Sequence, residues 1–342
     1  MSAKATDSDG RRDELDSRIY GCGAAPAIRP LTRQDIPPKV RADIRALQRH
    51  EPWGNLPLLL LLPIAGAGAW ATAPEHGLAL RAAGTVVLGL VLMSASVLMH
   101  EGIHYLLVGS RRINRIVALC CGTVTLLSAT AYRTLHLRHH AFEHTGEDPD
   151  NIETAAPRRV PLVLVYYGLL LAGTYLYFPH VAVGGWRAAH TSRERLTIVC
   201  EYLFMIGALG AGWWHAPDAM LRLWLLPMLV AAQLTNLRGL AEHGLTTGGS
   251  PFTATRSVRT SRWIAFFLCN LNLHLEHHLF PAVPWYNLPR VHALLQPVYR
   301  AAGASVYDGY GRFFRDFFRT TWAGVIPDVR LLPARLREEL CG

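Results

Sequence analysis

The chain has 342 residues, 51 % of them hydrophobic, and a formal net charge of +9 at neutral pH. That length holds one large domain or two small ones, and the uneven spread of the hydrophobic residues matters more than their average. The six cysteines (Cys22, Cys120, Cys121, Cys200, Cys269, Cys341) form no C-x-x-C pair and no regular framework, so they read as reduced thiols rather than a disulfide scaffold.

Residues 1–55 are charged and Pro-bearing and read as a cytoplasmic N-terminal segment. Two apolar runs follow, 56–73 (LPLLLLLPIAGAGAWATA) and 77–99 (GLALRAAGTVVLGLVLMSASVLM). At about 1.5 Å per residue each can cross a bilayer core of about 30 Å, so together they predict a membrane hairpin with a very short turn. The first run follows a long hydrophilic stretch and lacks a charged n-region with a cleavage site, so it is expected to stay in the protein rather than act as a signal peptide.

HEGIH comes next, with His100 and His104, and after the apolar stretch 113–129 comes HLRHH, with His136, His139 and His140. A further apolar stretch spans 160–183. Runs 195–214 and 219–237 predict a second hairpin turning at His215–Asp218, with Trp213, Trp214 and Trp70 at the far interface, where amphipathic aromatics belong. HLEHH then supplies His274, His277 and His278. If 160–183 crossed the membrane, the third histidine cluster would emerge on the side opposite the first two. Arginines also flank both of its ends (Arg158, Arg159; Arg187, Arg193, Arg195). It is therefore expected to be re-entrant or interfacial, and so is 113–129. The resulting fold class is an all-α integral membrane protein: four transmembrane helices in two hairpins under a cytoplasmic histidine-rich cap. Domain limits follow as 1–55, 56–295 and 296–342. The last segment, with GRFFRDFFRTTW, alternates aromatics and arginines as a cytoplasmic stretch lying on a bilayer would. The expected location is a bacterial inner membrane with the site facing the cytoplasm.

Arg111, Arg112, Arg115, Arg133 and Arg138 crowd the ends of the apolar runs. Nucleic acid is the competing explanation for a basic chain. These arginines hug membrane segments and no nucleic-acid motif is present, so they are expected to meet anionic headgroups or an acidic substrate carrier, not nucleic acid.

Side chains three and four positions apart share one helix face, so each histidine cluster can aim two or three imidazoles at one point. Imidazole suits iron, zinc, copper and nickel. Four ligands saturate a tetrahedral zinc, so eight clustered histidines imply two metals, and an all-nitrogen set without thiolates points to oxygen chemistry at iron. Metal-bound imidazoles donate their other N–H to a carboxylate or carbonyl. Asp148 and Asp150 are the favoured partners among Glu101, Glu147, Asp148, Asp150, Glu242 and Glu276. His144 falls outside the cluster pattern, and His50, His76, His180, His190, His215 and His292 read as structural. HEGIH also fits the zincin pattern H-E-x-x-H, in which Glu101 would activate a zinc-bound water. That reading leaves six clustered histidines unexplained.

The three clusters, in order, spacing and topology, resemble the histidine boxes H-x-x-x-H, H-x-x-H-H and H-x-x-H-H of the membrane fatty acid desaturase and hydroxylase superfamily. HTGEDPDN (144–151) and HHLFPAVPWYNLPRVH (277–292) strengthen the likeness, which runs from about residue 56 to 295. It implies a ninth ligand, His243 in LRGLAEHG. One iron would take His100, His104, His136, His140 and His278; the other would take His139, His243, His274 and His277. It also implies O2 as co-substrate and oxidation of an unactivated C–H bond in a lipidic chain, with desaturation favoured over hydroxylation. Acyl-CoA desaturases of this type carry an asparagine one turn before the lone histidine, where this chain has Gly239; Asn236 or Asn270 could substitute. The chain has no Rossmann fingerprint, flavin motif, Cys-rich cluster or His-Pro-Gly-Gly segment. Electrons are thus expected from a separate ferredoxin or cytochrome b5-like protein with its reductase, and the substrate from membrane lipid or an acyl carrier.

Overall fold

The computed structural model describes residues 31–51, 53–151, 161–246 and 250–322; the expected basic pair Arg158 and Arg159 lies outside them. Among the described residues the fold is mostly helical, with a parallel pair of three-residue strands, β1 (Ser257–Arg259) and β2 (Val306–Asp308), in register Ser257 to Val306.

After a short N-terminal helix α1 (Pro38–Ala46), a 3-10 turn (Leu56–Leu60) leads into α2 (Leu61–Ala71), and α3 (Leu78–Ile103) returns. α2 and α3 touch through small residues: a Cβ placed on Gly84 would meet the Ala71 Cβ and the Gly68 carbonyl at 2.8 Å. Such close backbone approach is how helices pack where lipid offers no hydrophobic drive. α4 (Arg111–Val124), capped by Ser110, and α5 (Ala129–Phe142), capped by Ser128, meet at a 102° bend. The long helix α6 (Leu162–Ala188) follows, then α7 (Ser192–His215) and α8 (Pro217–His243), the last with a π turn at Leu221–Leu225. α9 (Arg262–Phe267), α10 (His274–Leu279), α11 (Leu288–Ala302) and α12 (Tyr310–Trp322) form the cap.

Among the described residues three helices are long and apolar enough to cross a membrane: α3, α7 and α8. The expected first span is a shorter apolar helix, Leu56–Ala71, which at 1.5 Å per residue rises about 24 Å, less than a hydrocarbon core. α3 and α8 run past the apolar stretches that the sequence marks, to Ile103 and His243, and these extensions carry histidines.

The bent pair α4–α5 leaves from beside His104 and returns with His136 and His140, whose rings lie 5.1 and 5.0 Å from the His104 ring. The pair therefore starts and ends beside the same group of histidines. α6 is one continuous helix with Pro179 inside it, so a re-entrant loop is not its form. Its Tyr166 hydroxyl accepts the Leu245 N–H, just past His243, and its His180 Nε2 lies 3.0 Å from Asp150 Oδ1, just past the second cluster. Both contacts reach segments that adjoin the histidine clusters. The helix crosses α5 closely, since a Cβ on Gly185 would meet the Ala131 carbonyl oxygen at 2.5 Å.

The N-terminal residues wrap the cap. Ile36 and Ile44 are buried with Trp285, Leu288 and Leu295, and Arg33 Nη2 donates to the His278 carbonyl at 2.7 Å. On the C-terminal side Phe313 and Phe317 of α12 bury against Tyr166, Leu240 and Leu245.

Candidate metal centre

All nine histidines expected as ligands meet in one place. His100 and His104 end α3; His136, His139 and His140 share one face of α5; His243 ends α8; His274, His277 and His278 lie on α10. They form two groups. In the first, one ligand atom from each of His100, His104, His136, His140 and His277 lies within 4.8 Å of every other. His140 Nε2 is 2.9 Å from His136 Nε2 and 3.1 Å from His277 Nε2. The second brings His139, His243 and His278 together with Glu143 within the same 4.8 Å. His274 joins it, with Nε2 2.8 Å from His243 Nε2 and 3.1 Å from His278 Nε2.

The residues fit metal ions. Two nitrogens about 2.1 Å from one ion and at right angles to each other are about 3 Å apart, which matches these separations. Nε2 of His100 and of His104 is buried without a hydrogen-bond partner, a state that leaves a desolvated lone pair or N–H uncompensated unless something else binds it. Burial, with the Arg133 charge assisting, pushes the His104 pKa down to about 3. Burial likewise holds His274, His277 and His278 well below the ordinary histidine value. These imidazoles are thus kept in the neutral form that coordinates, whereas at His139 the effect of burial is outweighed by the Asp148 hydrogen bond, which raises its pKa.

The structure corrects the division of ligands that the resemblance implied. His277 joins the first group and His278 the second, the reverse of the expectation. Consecutive residues on a helix point about 100° apart, and α10 is set so that His277 faces His100, with ring centroids 4.5 Å apart, whereas His278 faces His274 across 3.1 Å.

Carboxylates stand behind the rings. Asp148 Oδ1 is 2.8 Å from His139 Nδ1, and Asp148 also accepts the backbone N–H groups of His144 and Asp150 at 2.9 Å each. Burial pushes its pKa up, but the His139 hydrogen bond and these N–H groups outweigh it and hold the acid below its usual value. Asp150, the other favoured partner, instead meets His180 and the Tyr177 hydroxyl. Glu101 Oε1 is 3.3 Å from His100 Nδ1. Glu276 is tied to Ser257, His292 and Tyr299, so His292 braces α10 from behind. His144 turns away to the Thr246 hydroxyl at 2.6 Å.

Glu143 was missed. Its Oε1 is 2.9 Å from His278 Nδ1, and burial lifts its pKa to about 7. Its spacing was a usable signal, because His136, His139, His140 and Glu143 follow the i, i+3, i+4, i+7 stripe of one helical face. Of the two asparagines expected to stand in at Gly239, Asn270 donates to the Trp285 carbonyl at 3.2 Å. Asn236 lines the cavity below the histidines, its Oδ1 held by Thr174.

That cavity has a volume of about 540 Å3, within the range of small-molecule sites. Its head is formed by His100, His136, His139, His243 and His274, and its apolar wall includes Leu92, Met93, Leu127, Leu169, Leu176 and Met228. Gly239 also lines it, and a Cβ added there would meet nothing within 4 Å. An elongated apolar ligand seated there would bring a carbon under both imidazole groups.

Comparison with known proteins agrees with the boxes. The model of the fatty acid desaturase family matches residues 77–310. The chain is similar to an acyl-lipid (8-3)-desaturase of Rebecca salina (24 % identical, 68 % of this chain and 60 % of that protein). It is also similar to an sn-1 oleoyl-lipid 12-desaturase of Synechocystis (22 %, 61 % of this chain and 66 % of that protein). A zeaxanthin 4-ketolase of Chlamydomonas reinhardtii is 24 % identical, over 60 % of this chain and 42 % of that protein. The chain thus spans less than two thirds of the length of each of these relatives. The match of the family model, over a region that carries all nine histidines, places the chain in the fatty acid desaturase family.

Proposed function

We propose that the protein is a membrane non-haem diiron oxidoreductase that uses O2 to oxidise an unactivated C–H bond of a fatty acyl or similar lipidic substrate, most simply to an alkene. One observation carries this reading: histidines of two adjoining groups line one cavity whose wall is largely apolar. The first iron would be held by His100, His104, His136, His140 and His277, the second by His139, His243, His274 and His278 with Glu143 beside them. A C–H bond of this kind offers side chains no acidic proton and no leaving group, so the bound irons and O2 would supply the oxidant. The chain's own groups do the rest: Asp148 fixes the His139 ring, the apolar wall aligns the chain and excludes water, and neutral imidazoles keep their lone pairs free.

Four spans in two hairpins, Leu56–Ala71 with α3 and α7 with α8, would set this site on the cytoplasmic side of a bacterial inner membrane. Electrons would come from a ferredoxin or a cytochrome b5-like protein. Hydroxylation at the same site is the second reading, favoured by the zeaxanthin 4-ketolase similarity, since that name implies oxygen insertion. A zinc protease built on HEGIH fits poorly, because Glu101 lies behind the His100 ring at Nδ1 and seven further histidines share the centre. The test is expression with a compatible electron donor and mass spectrometry of the host lipids. Loss of two hydrogens from a lipid, dependent on O2, supports desaturation; gain of one oxygen selects hydroxylation; no O2-dependent product contradicts the proposal.

A further inference from the structure

We propose that Tyr105 and the three arginines gathered around it form a binding site for the phosphate of an anionic phospholipid. The guanidinium carbons of Arg111, Arg115 and Arg133 lie 5.5, 5.8 and 5.2 Å from the centre of the Tyr105 ring. Arg115 donates from Nε and Nη2 to the Tyr105 hydroxyl, at 3.3 Å each, and Arg133 Nε donates to the Ile103 carbonyl at 3.2 Å. Three like charges held around one ring repel one another. Elsewhere on this side arginines meet carboxylates, as in Arg138–Glu147, Arg259–Asp308 and Arg290–Glu51. Among the described residues none of these three does.

The backbone enforces the convergence. Tyr105 takes a left-handed φ of 63° directly after α3, which reverses the chain, and Arg111 and Arg115 occupy the first turns of α4. The start of that helix adds positive partial charge. A guanidinium offers a planar fork of donors that matches the oxygens of a phosphate. Arg111 and Arg115 are exposed and so can reach one.

The surroundings favour a lipid as the source of that phosphate. On α4, Ile113 and Ile116 alternate with the arginines and are 50 % and 60 % exposed. The exposed Leu56, Leu59 and Leu60 lie close by, since Asn55 bonds to the Leu107 carbonyl. The arginines therefore sit where a hydrocarbon-facing surface meets the histidine-bearing side, the level at which headgroup phosphates lie. The inference needs only the membrane placement, not the oxidation chemistry, so a lost lipid site with intact turnover, or the converse, would separate the two.

The test is binding of short-chain phosphatidylglycerol, short-chain phosphatidylcholine and inorganic phosphate to the full-length protein purified in an uncharged detergent, followed by thermophoresis at low and high salt. The expected result is preference for phosphatidylglycerol that weakens with salt. The pair Arg111→Gln, Arg115→Gln should weaken that lipid about thirtyfold, from roughly fivefold per basic residue near an anionic surface, with an unchanged melting temperature. Arg115→Lys should retain part of the affinity, since the charge stays and the fork is lost. Equal binding of both lipids, or an unaltered double variant, would overturn the site. Inorganic phosphate binding as tightly as phosphatidylglycerol would overturn the lipid source. Should the double variant melt early, Arg111→Gln alone, whose side chain makes no hydrogen bond among the described residues, must still show a several-fold loss.

Discussion

Asp148 Oδ1 lies 2.8 Å from His139 Nδ1, and both side chains are almost fully buried. The same carboxyl accepts two backbone N–H groups, so it is fixed before it fixes the ring. This contact sets which nitrogen of His139 faces the second group, because an Nδ1–H held by a carboxylate leaves Nε2 free to coordinate.

Asp148→Asn should therefore loosen a single ligand rather than dismantle the fold. Loss of such an outer partner commonly costs about ten- to a hundredfold in metal affinity or activity. Iron per chain after dialysis against a graded chelator series measures it. Iron retention equal to that of the wild type would show that Asp148 does not orient a ligand.

His243→Ala and Glu101→Gln separate the oxidase from the HEGIH protease. His243 Nε2 sits 2.8 Å from His274 Nε2 inside the second group, so its removal should abolish O2-dependent oxidation and lower iron occupancy. Glu101, at 3.3 Å from the outer nitrogen of His100, should cost less, about ten- to a hundredfold. In a zincin the order reverses, because loss of the general base costs about a hundred- to ten-thousandfold with zinc still bound.

Much of this centre was legible in the sequence, for a physical reason: spacings of three and four on a helix are a geometric statement, and eight of the nine histidines obey it together, whereas His243 was implied by the family resemblance alone. Less legible were relations that depend on how helices are set against one another. Whether His277 or His278 turns its Nε2 to His140 depends on the rotation of α10, which the H-x-x-H-H pattern leaves free. Glu143 continues the stripe of His136 and His140, but it caps the end of α5 just past Phe142, and its place beside His278 depends on how α10 is set against α5. Strands β1 and β2 are three residues each, too short to show an alternating pattern. The apolar stretch at 160–183 shows where the chain is greasy, whereas its course as one helix under the site is fixed by pairs such as Thr174 with Asn236.

Gly185→Leu should drive α6 off α5. The added side chain would begin 2.5 Å from the Ala131 carbonyl oxygen and 2.7 Å from its Cα, backbone atoms that cannot step aside. Overpacking of this kind costs about 1–3 kcal/mol. Thermal melting in detergent should show a lower midpoint, and iron occupancy should fall with it because α5 carries His136, His139 and His140. An unchanged midpoint would mean that the two helices are not in contact.

Gly239→Leu should act in the opposite sense on stability. The position opens into the cavity, and replacing glycine inside a helix gains up to about 1 kcal/mol. Melting should be unchanged or higher while turnover of long-chain substrate falls, because the leucine occupies the space below His243. Unaltered turnover of the longest substrates would show that they do not pass this wall.

Topology is read by labelling. In a cysteine-free background, cysteines placed at Glu75 and Ala216, in the turns between paired helices, should react with an impermeant thiol reagent from outside the cell. A cysteine at Arg187, near the end of α6, should stay protected. Labelling of position 187 from outside would mean that α6 crosses the membrane.

Metal content of the turning-over protein tests the central claim most directly. Two histidine groups, each within 4.8 Å, should hold two irons per chain in protein purified under iron-replete conditions, with iron and O2-dependent turnover lost and regained together on chelation and reloading. One metal per chain, or zinc persisting in protein that still turns over, would contradict the diiron reading.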